Sequence, residues 1–174
     1  MKVVNQFGCL NVDGDCQVGL GCSNVENQVF IGALDDESKL KDVGFRFQVT
    51  DVKKPLLAVR RINEGGNIVQ FGPRDQDNFI FNPNTQDKVM LRRQSGVYLL
   101  DAMMPDGSWT EITVDSGAAD NVCPLGWGQC FGMQTLQDRE KINFVGPNGS
   151  RIQHYGSRDI FVKTEAYPFP RQGS

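Results

Sequence analysis

A chain of 174 residues, 39% hydrophobic and 22% charged, suits one globular domain with an extension, large enough to bury a core without metals or disulfides. Its net charge of -3, with no strongly basic segment, argues against nucleic acid as a partner. No apolar run reaches the length of about 18 residues that a membrane span needs, so no membrane partner is expected.

Residues 1–43 are Gly-rich and acidic. Val3-Val4 and Val29-Phe30-Ile31 suit short strands, and Asp35-Asp36-Glu37-Ser38-Lys39 suits a loop. No chemistry is legible there, so the segment reads as an N-terminal extension. A basic stretch followed by an apolar one is missing, so no secretory signal is visible. Five cysteines, Cys9, Cys16, Cys22, Cys123 and Cys130, are odd in number and irregular in spacing. They read as free thiols of a reducing, intracellular compartment. Zinc is the weaker alternative: no Cys-x-x-Cys pair exists, and the single histidine, His154, is distant. No metal or cofactor is expected.

Residues 44–104 form a first half. Phe45, Phe47 and Val49 alternate with Arg46, Gln48 and Thr50, the pattern of a half-buried strand. Pro55 to Asn63 predicts a short helix, with Pro55 in its first turn, an apolar face from Leu56 to Ile62, and Gly65-Gly66 as the stop. Strands follow at Ile68 to Phe71, Phe79 to Phe81 and Val97 to Leu100. Residues 105–165 form a second half. Pro105-Asp106-Gly107 predicts a turn, because proline presets one backbone angle and glycine permits a left-handed one. Thr110 to Val114 alternates, with Ile112 and Val114 inward. Lys141 to Val145 and Ile152 to Lys163 flank Pro147-Asn148-Gly149-Ser150, and Asn-Gly between strand-like runs predicts a hairpin. Residues 166–174 read as a flexible tail. The expected fold class is all-β with one short helix.

Asp115-Ser116-Gly117 is the segment with chemical promise. An alternating strand delivers Asp115, and Ala118 and Ala119 follow. Peptide hydrolysis without a metal or a covalent intermediate needs a water held between an acid and a base. Two carboxylates about 3 Å apart supply both, because like charges that close cannot both ionise. The Ser116 hydroxyl suits a hydrogen bond across such a dyad, and Gly117, lacking a side chain, would let its backbone approach. A glycine-bearing hairpin over a cleft would exclude water and grip an extended peptide. The chain holds a single Asp-Ser/Thr-Gly. Two carboxylates therefore require a homodimer, with two copies of Asp115 face to face.

At these residues the sequence resembles a known family. Thr113-Val114-Asp115-Ser116-Gly117-Ala118 is similar to the active-site segment of retropepsin-like aspartic proteases of the Copia-type retrotransposon kind. Val145-Gly146-Pro147-Asn148-Gly149-Ser150-Arg151-Ile152, then Tyr155-Gly156, resembles their flap, although Gly146-Pro147 departs from the usual small-residue lead-in. Lys54 to Ile62, Gly66 to Phe71 and Gly96 to Asp101 are similar to the helix and closing strands that follow the flap. Residues 1–43 match nothing in the family. The resemblance implies a small closed β-barrel, a peptide or polyprotein substrate, catalytic Asp115, Ser116 and Gly117, and substrate contacts from Ala118, Ala119 and Val145 to Ser150. The family order is reversed here, which implies a circular permutation: Phe45 to Val49 would then lie beside Phe161 to Lys163 of the same chain. Two tandem units completed by domain swapping are the alternative.

Plainer readings stand beside these. His154 suits a surface position on a flap strand better than a catalytic one. Arg60-Arg61 and Arg92-Arg93 suit solvated faces or partners for acids. Trp109, Trp127 and Cys123 suit packing. Besides a peptidase, two functions fit: a catalytically inactive retropepsin-like barrel used for binding or dimerisation, and an unrelated β-rich binding module with Asp115 in an ordinary turn.

Overall fold

Long apolar alternation and glycine-marked turns produce strands almost throughout. The computed structural model describes residues 30–31, 40–135, 137 and 142–168. In chain order these are β1 (Phe30–Ile31), β2 (Leu40–Thr50), β3 (Leu56–Ala58), helix α1 (Val59–Glu64), β4 (Ile68–Gln70), β5 (Phe79–Asn82), β6 (Asp87–Met90), β7 (Arg92–Gln94) and β8 (Val97–Met103). Then come β9 (Trp109–Asp115), β10 (Val122–Pro124), β11 (Gln134–Thr135), β12 (Phe144–Val145), β13 (Arg151–Ile152) and β14 (His154–Pro168). Val3-Val4, the 35–39 loop, Cys9, Cys16, Cys22 and Lys141 lie outside the described residues.

Six strands close a barrel in the order β2-β10-β3-β9-β8-β14, with β14 returning to β2. The return is long and antiparallel: Phe45 faces Ile160, Gly44 faces Phe161 and Val43 faces Val162, all within one chain. Closure on the β8 side rests on the single register pair Lys163 and Met103. Beyond the barrel, β14 continues into a second sheet through Ala166 opposite Val89, and β6, β5 and β4 extend it.

The barrel interior holds Val43, Phe45, Phe47 and Val49 of β2, Leu57 of β3, Ile112 and Val114 of β9, Leu100 and Ala102 of β8, Cys123 of β10, and Ile160 and Val162 of β14. Each large apolar side chain buried there contributes about 1.5–3 kcal/mol. The inward-facing Lys41 is buried too, in an ion pair with Asp87 of β6.

The structure revises several expectations. Residues 56–58 are a strand and the helix begins only at Val59. Leu56-Leu57-Ala58 is an apolar run that either element could use, and parallel pairing with Thr113, Val114 and Asp115 of β9 decides for the strand. The polar side of β2 is not solvated: Gln48 and Thr50 are buried, and Arg46 is half-covered by a bidentate bond to Asp159 at 2.8 and 2.9 Å. Strands β6 and β7 were not anticipated, since β7 has no apolar residue and β6 alternates too briefly. The strand β14 runs through Pro168, into the expected tail. Trp109 is 55% exposed rather than packed, whereas Trp127 meets the Phe47 ring at a centroid distance of 5.2 Å.

Both expected turns form. In 105–107, Gly107 has φ +83°, and the Asp106 carboxylate accepts from the Ser108 N–H (2.9 Å) and hydroxyl (2.6 Å). A third turn joins β7 to β8 through Ser95 and Gly96, both at positive φ, as a two-residue hairpin of this twist requires.

Candidate active site

Asp115 ends β9, half-buried, beside Ala58 of the parallel strand β3. The chain then turns through exposed Ser116 and Gly117, half-buried Ala118 and exposed Ala119. The Gly117 N–H donates to Asp115 Oδ1 at 2.7 Å. The Ser116 hydroxyl makes no hydrogen bond among the described residues. A Cβ at Gly117 would meet only Asp115 Oδ1, at 3.4 Å, an ordinary contact. The Gly117 backbone thus lies against the Asp115 carboxylate of its own chain.

What fixes this loop comes next, at residues that motif reading passed over. Asp120 receives two hydrogen bonds from Arg61 of α1, at 3.0 and 2.7 Å. The pair holds the Arg61 guanidinium above its ordinary pKa, chiefly through its hydrogen bonds to Asp120, against the opposing effect of burial. Asn121 is 2% exposed; its Oδ1 accepts from the Ala58 N–H at 2.9 Å and its Nδ2 donates to the Arg46 carbonyl at 3.0 Å. The Asn121 carbonyl accepts from the Gln48 N–H at 2.9 Å. One buried amide thus ties the loop to β3 and β2 together. Further on, the buried Arg158 donates to the carbonyls of Leu125 and Trp127, pinning the turn after β10. Burial pushes the Cys123 thiol up to about 12, against the opposing charge of Arg158. Cys130 is exposed.

The hairpin expected from Asn148-Gly149 forms between β12 and β13, with Phe144 opposite Ile152 and Val145 opposite Arg151. Gly149 has φ +78°, a left-handed position that other residues adopt only with strain. Asn148 Oδ1 accepts from the Ser150 N–H and hydroxyl, and the Gly146 N–H donates to the Ser150 carbonyl at 2.8 Å. Val145 is 62% exposed; Pro147, Asn148, Gly149 and Ser150 are exposed and Gly146 is half-buried. Among the described residues, 145–150 make no hydrogen bond to 115–119. One connection between the loop and the hairpin runs through β2: Gln48 bonds the Asn121 carbonyl with its backbone N–H and His154 with its side chain.

His154 is buried at 4% exposure, not on the surface. Its Nδ1 accepts from the Ile142 N–H at 3.1 Å, and its Nε2 lies 3.0 Å from both Gln48 Oε1 and the Gly156 carbonyl. A bulge between His154 and Gly156 shifts the register of β14 on β2, so that His154 pairs with Thr50 while Gly156 pairs with Val49.

A groove of about 930 Å³ lies at the opposite end of β9, where Trp109, Glu111, Asp101 and Arg92 line it; Asp115 is not in its wall. A smaller cavity of about 280 Å³ sits under the hairpin, lined by Asp51, Ile142, Arg151 and His154 among others. The paired arginines of the sequence find acids: Arg60 bonds Glu64, and Arg92 bonds Asp101 and Glu111. Among the described residues no group of three or more His, Cys, Asp or Glu side chains could hold a metal ion, and no helix is long and apolar enough to cross a membrane. No protein-family model, curated protein or solved structure matches the chain.

Proposed function

We propose that this chain is an aspartic endopeptidase of the retropepsin type, its halves in circularly permuted order, active as a homodimer with Asp115 from each copy. The observation that carries the reading is the placement of Asp115. It sits at the end of a strand in a closed six-strand barrel, in an Asp-Ser-Gly turn whose carboxylate, among the described residues, accepts from the Gly117 N–H alone. A second copy across a two-fold axis would supply the missing carboxylate. It would also supply the crowding that Gly117 accommodates and a partner for the Ser116 hydroxyl.

In this mechanism one Asp115 is protonated and the other ionised. The ionised carboxylate takes a proton from a water held between them, and the water oxygen bonds to the peptide carbonyl carbon. The protonated carboxyl gives its proton to the carbonyl oxygen. The tetrahedral gem-diol then collapses: the C–N bond breaks, the nitrogen takes the proton held by the carboxyl that had activated the water, and one hydroxyl returns its proton to the other, so the dyad again holds one. The hairpin of residues 144–152 acts as the flap, with Val145 to Ser150 and Ala118-Ala119 against the peptide. The long β2–β14 pairing supports the permuted order. It joins within one chain the two strands that the family connects directly, while Pro105 to Ser108 forms the new link between halves.

Asp115→Asn tests the reading on a quenched-peptide library. Activity should peak in acid to mildly acid solution, where the dyad holds one proton, and should fall on dilution as the dimer dissociates. The Asn variant should lose activity by about 10²–10⁴-fold, the usual contribution of acid–base catalysis, while keeping its fold by circular dichroism. Full activity in that variant, or an active species that sedimentation finds monomeric at every concentration, overturns the proposal. A stable dimer without hydrolysis would favour the inactive binding module.

A further inference from the structure

We propose that His154 is the positioning residue of the hairpin, a neutral imidazole that holds its incoming arm to the barrel and releases it on protonation. The hydrogen bonds determine the tautomer. Nδ1 accepts the Ile142 N–H, so it carries no proton, and the proton must sit on Nε2, facing Gln48 Oε1 and the Gly156 carbonyl. Ile142 opens the arm that leads into β12, and Phe144 of that strand meets the imidazole edge-on at 5.3 Å. The outgoing arm is tied separately, by the Asp51 N–H to the Gln153 carbonyl at 3.0 Å. His154 thus secures one leg of the hairpin and backbone pairing secures the other.

The latch also reaches the candidate catalytic loop. Gln48, which receives the imidazole N–H, donates its own backbone N–H to the Asn121 carbonyl. Any tilt of the imidazole therefore acts on a residue that braces the Asp115 loop.

A proton added to Nδ1 would face the Ile142 N–H, placing two donors 3.1 Å apart, and the bond cannot survive. Among the described residues, the charged groups sharing the cavity with His154 are Asp51 at the end of β2 and Arg151 of β13; Gln48 of β2 and Asn143 of the incoming arm are neutral. Asp51 favours the imidazolium and Arg151 opposes it, and the lost acceptor at Nδ1 opposes it as well. Imidazole titrates between about pH 5 and 8, and the arm should loosen across that window as pH falls.

The catalytic consequence rests on the peptidase reading; the latch itself does not. Hydrogen exchange on the full chain tests the latch without substrate, as protection factors corrected for intrinsic rates. Loss of one hydrogen bond should lower protection of the Ile142 amide by about 2–10-fold from pH 8 to pH 5, with Phe47 and Ile160 unchanged. His154→Asn places an oxygen near the Nδ1 position, an acceptor that does not titrate here, and should make protection independent of pH. Imidazole nitrogen shifts at pH 8 should report the Nε2–H tautomer. A flat profile in the unmodified chain, the same fall in His154→Asn, or an Nδ1–H tautomer overturns the proposal. Should the variant fail to fold, the unmodified profile and tautomer still decide. In the peptidase assay, where the dyad sets the pH profile of both proteins, KM of the unmodified chain relative to that of His154→Asn should rise as pH falls. A titrating latch without hydrolysis removes the peptidase reading alone; hydrolysis with flat exchange removes the latch alone.

Discussion

The loop after Asp115 and the hairpin of residues 144–152 are both short, glycine-bearing turns, yet they are held in opposite ways. Asp120 and Asn121 anchor the loop with side-chain bonds to α1, β3 and β2, and Asn121 is almost fully buried. The hairpin has one short ladder, an Asn148 side chain bonded within its own turn, and exposed apolar Val145 and Ile142. Under the proposed function, the loop would present a carboxylate at a defined place and gains from many long-range anchors. The hairpin would open for a peptide and gains from few, since low local stability is what such elements share.

The comparison breaks first at Asn121. Asn121→Ala removes the acceptor of the Ala58 N–H and a donor to the Arg46 carbonyl, at about 1–3 kcal/mol for each buried bond lost. Urea unfolding should therefore show a loss of about 2–5 kcal/mol. Cys123 offers a second readout. With its thiol held near a pKa of about 12, alkylation at pH 8 should be far slower there than at exposed Cys130, and Asn121→Ala should speed it. A destabilisation under about 1 kcal/mol would mean that the loop is not anchored through this amide.

Gly149→Val probes the other side. A branched residue at φ +78° is strained by about 1–2 kcal/mol, but Gly149 is exposed and nothing lies within 4 Å of a Cβ there. Thermal unfolding should shift little, because a frayed hairpin does not unfold the barrel. Peptide turnover should fall by more than the stability change accounts for. Undiminished turnover would remove the hairpin from the substrate path.

The smallest effect belongs to Arg60→Ala. Arg60 and Glu64 form an exposed ion pair one helical turn apart, and hydrogen bonds from Arg60, then Arg61, hold the Glu64 carboxyl below its ordinary pKa. A depressed carboxylate stabilises above its unfolded pKa and loses that stabilisation as pH falls. Solvent screening keeps the contribution of such a pair under about 0.5 kcal/mol. A larger loss in urea would show that α1 matters to loop anchoring beyond Arg61.

Local features were legible in the sequence. Alternation in Phe45 to Val49 and Thr110 to Val114 identified two barrel strands, and Asn148-Gly149 and Asp106-Gly107 identified two turns, because strand period and left-handed glycines act between near neighbours. Helix and strand could not be separated at Leu56-Leu57-Ala58, where the deciding partner is β9. His154 was misplaced because the groups that bond it include the Gln48 side chain of β2 and the Ile142 N–H of the incoming arm, neither of them a near neighbour in sequence.

By itself, then, the sequence determined a β-rich chain, a short helix, the turns, and an Asp-Ser-Gly delivered by a strand. Tertiary structure alone decided the closure of six strands into a barrel, the register of β2 on β14, and the pairing of Arg61 with Asp120 and of His154 with Gln48, partners 59 and 106 positions apart. The division has a physical cause. Backbone sterics and hydrophobic period are encoded over a few residues, whereas the choice of a distant partner depends on which surfaces the collapsed chain removes from water together.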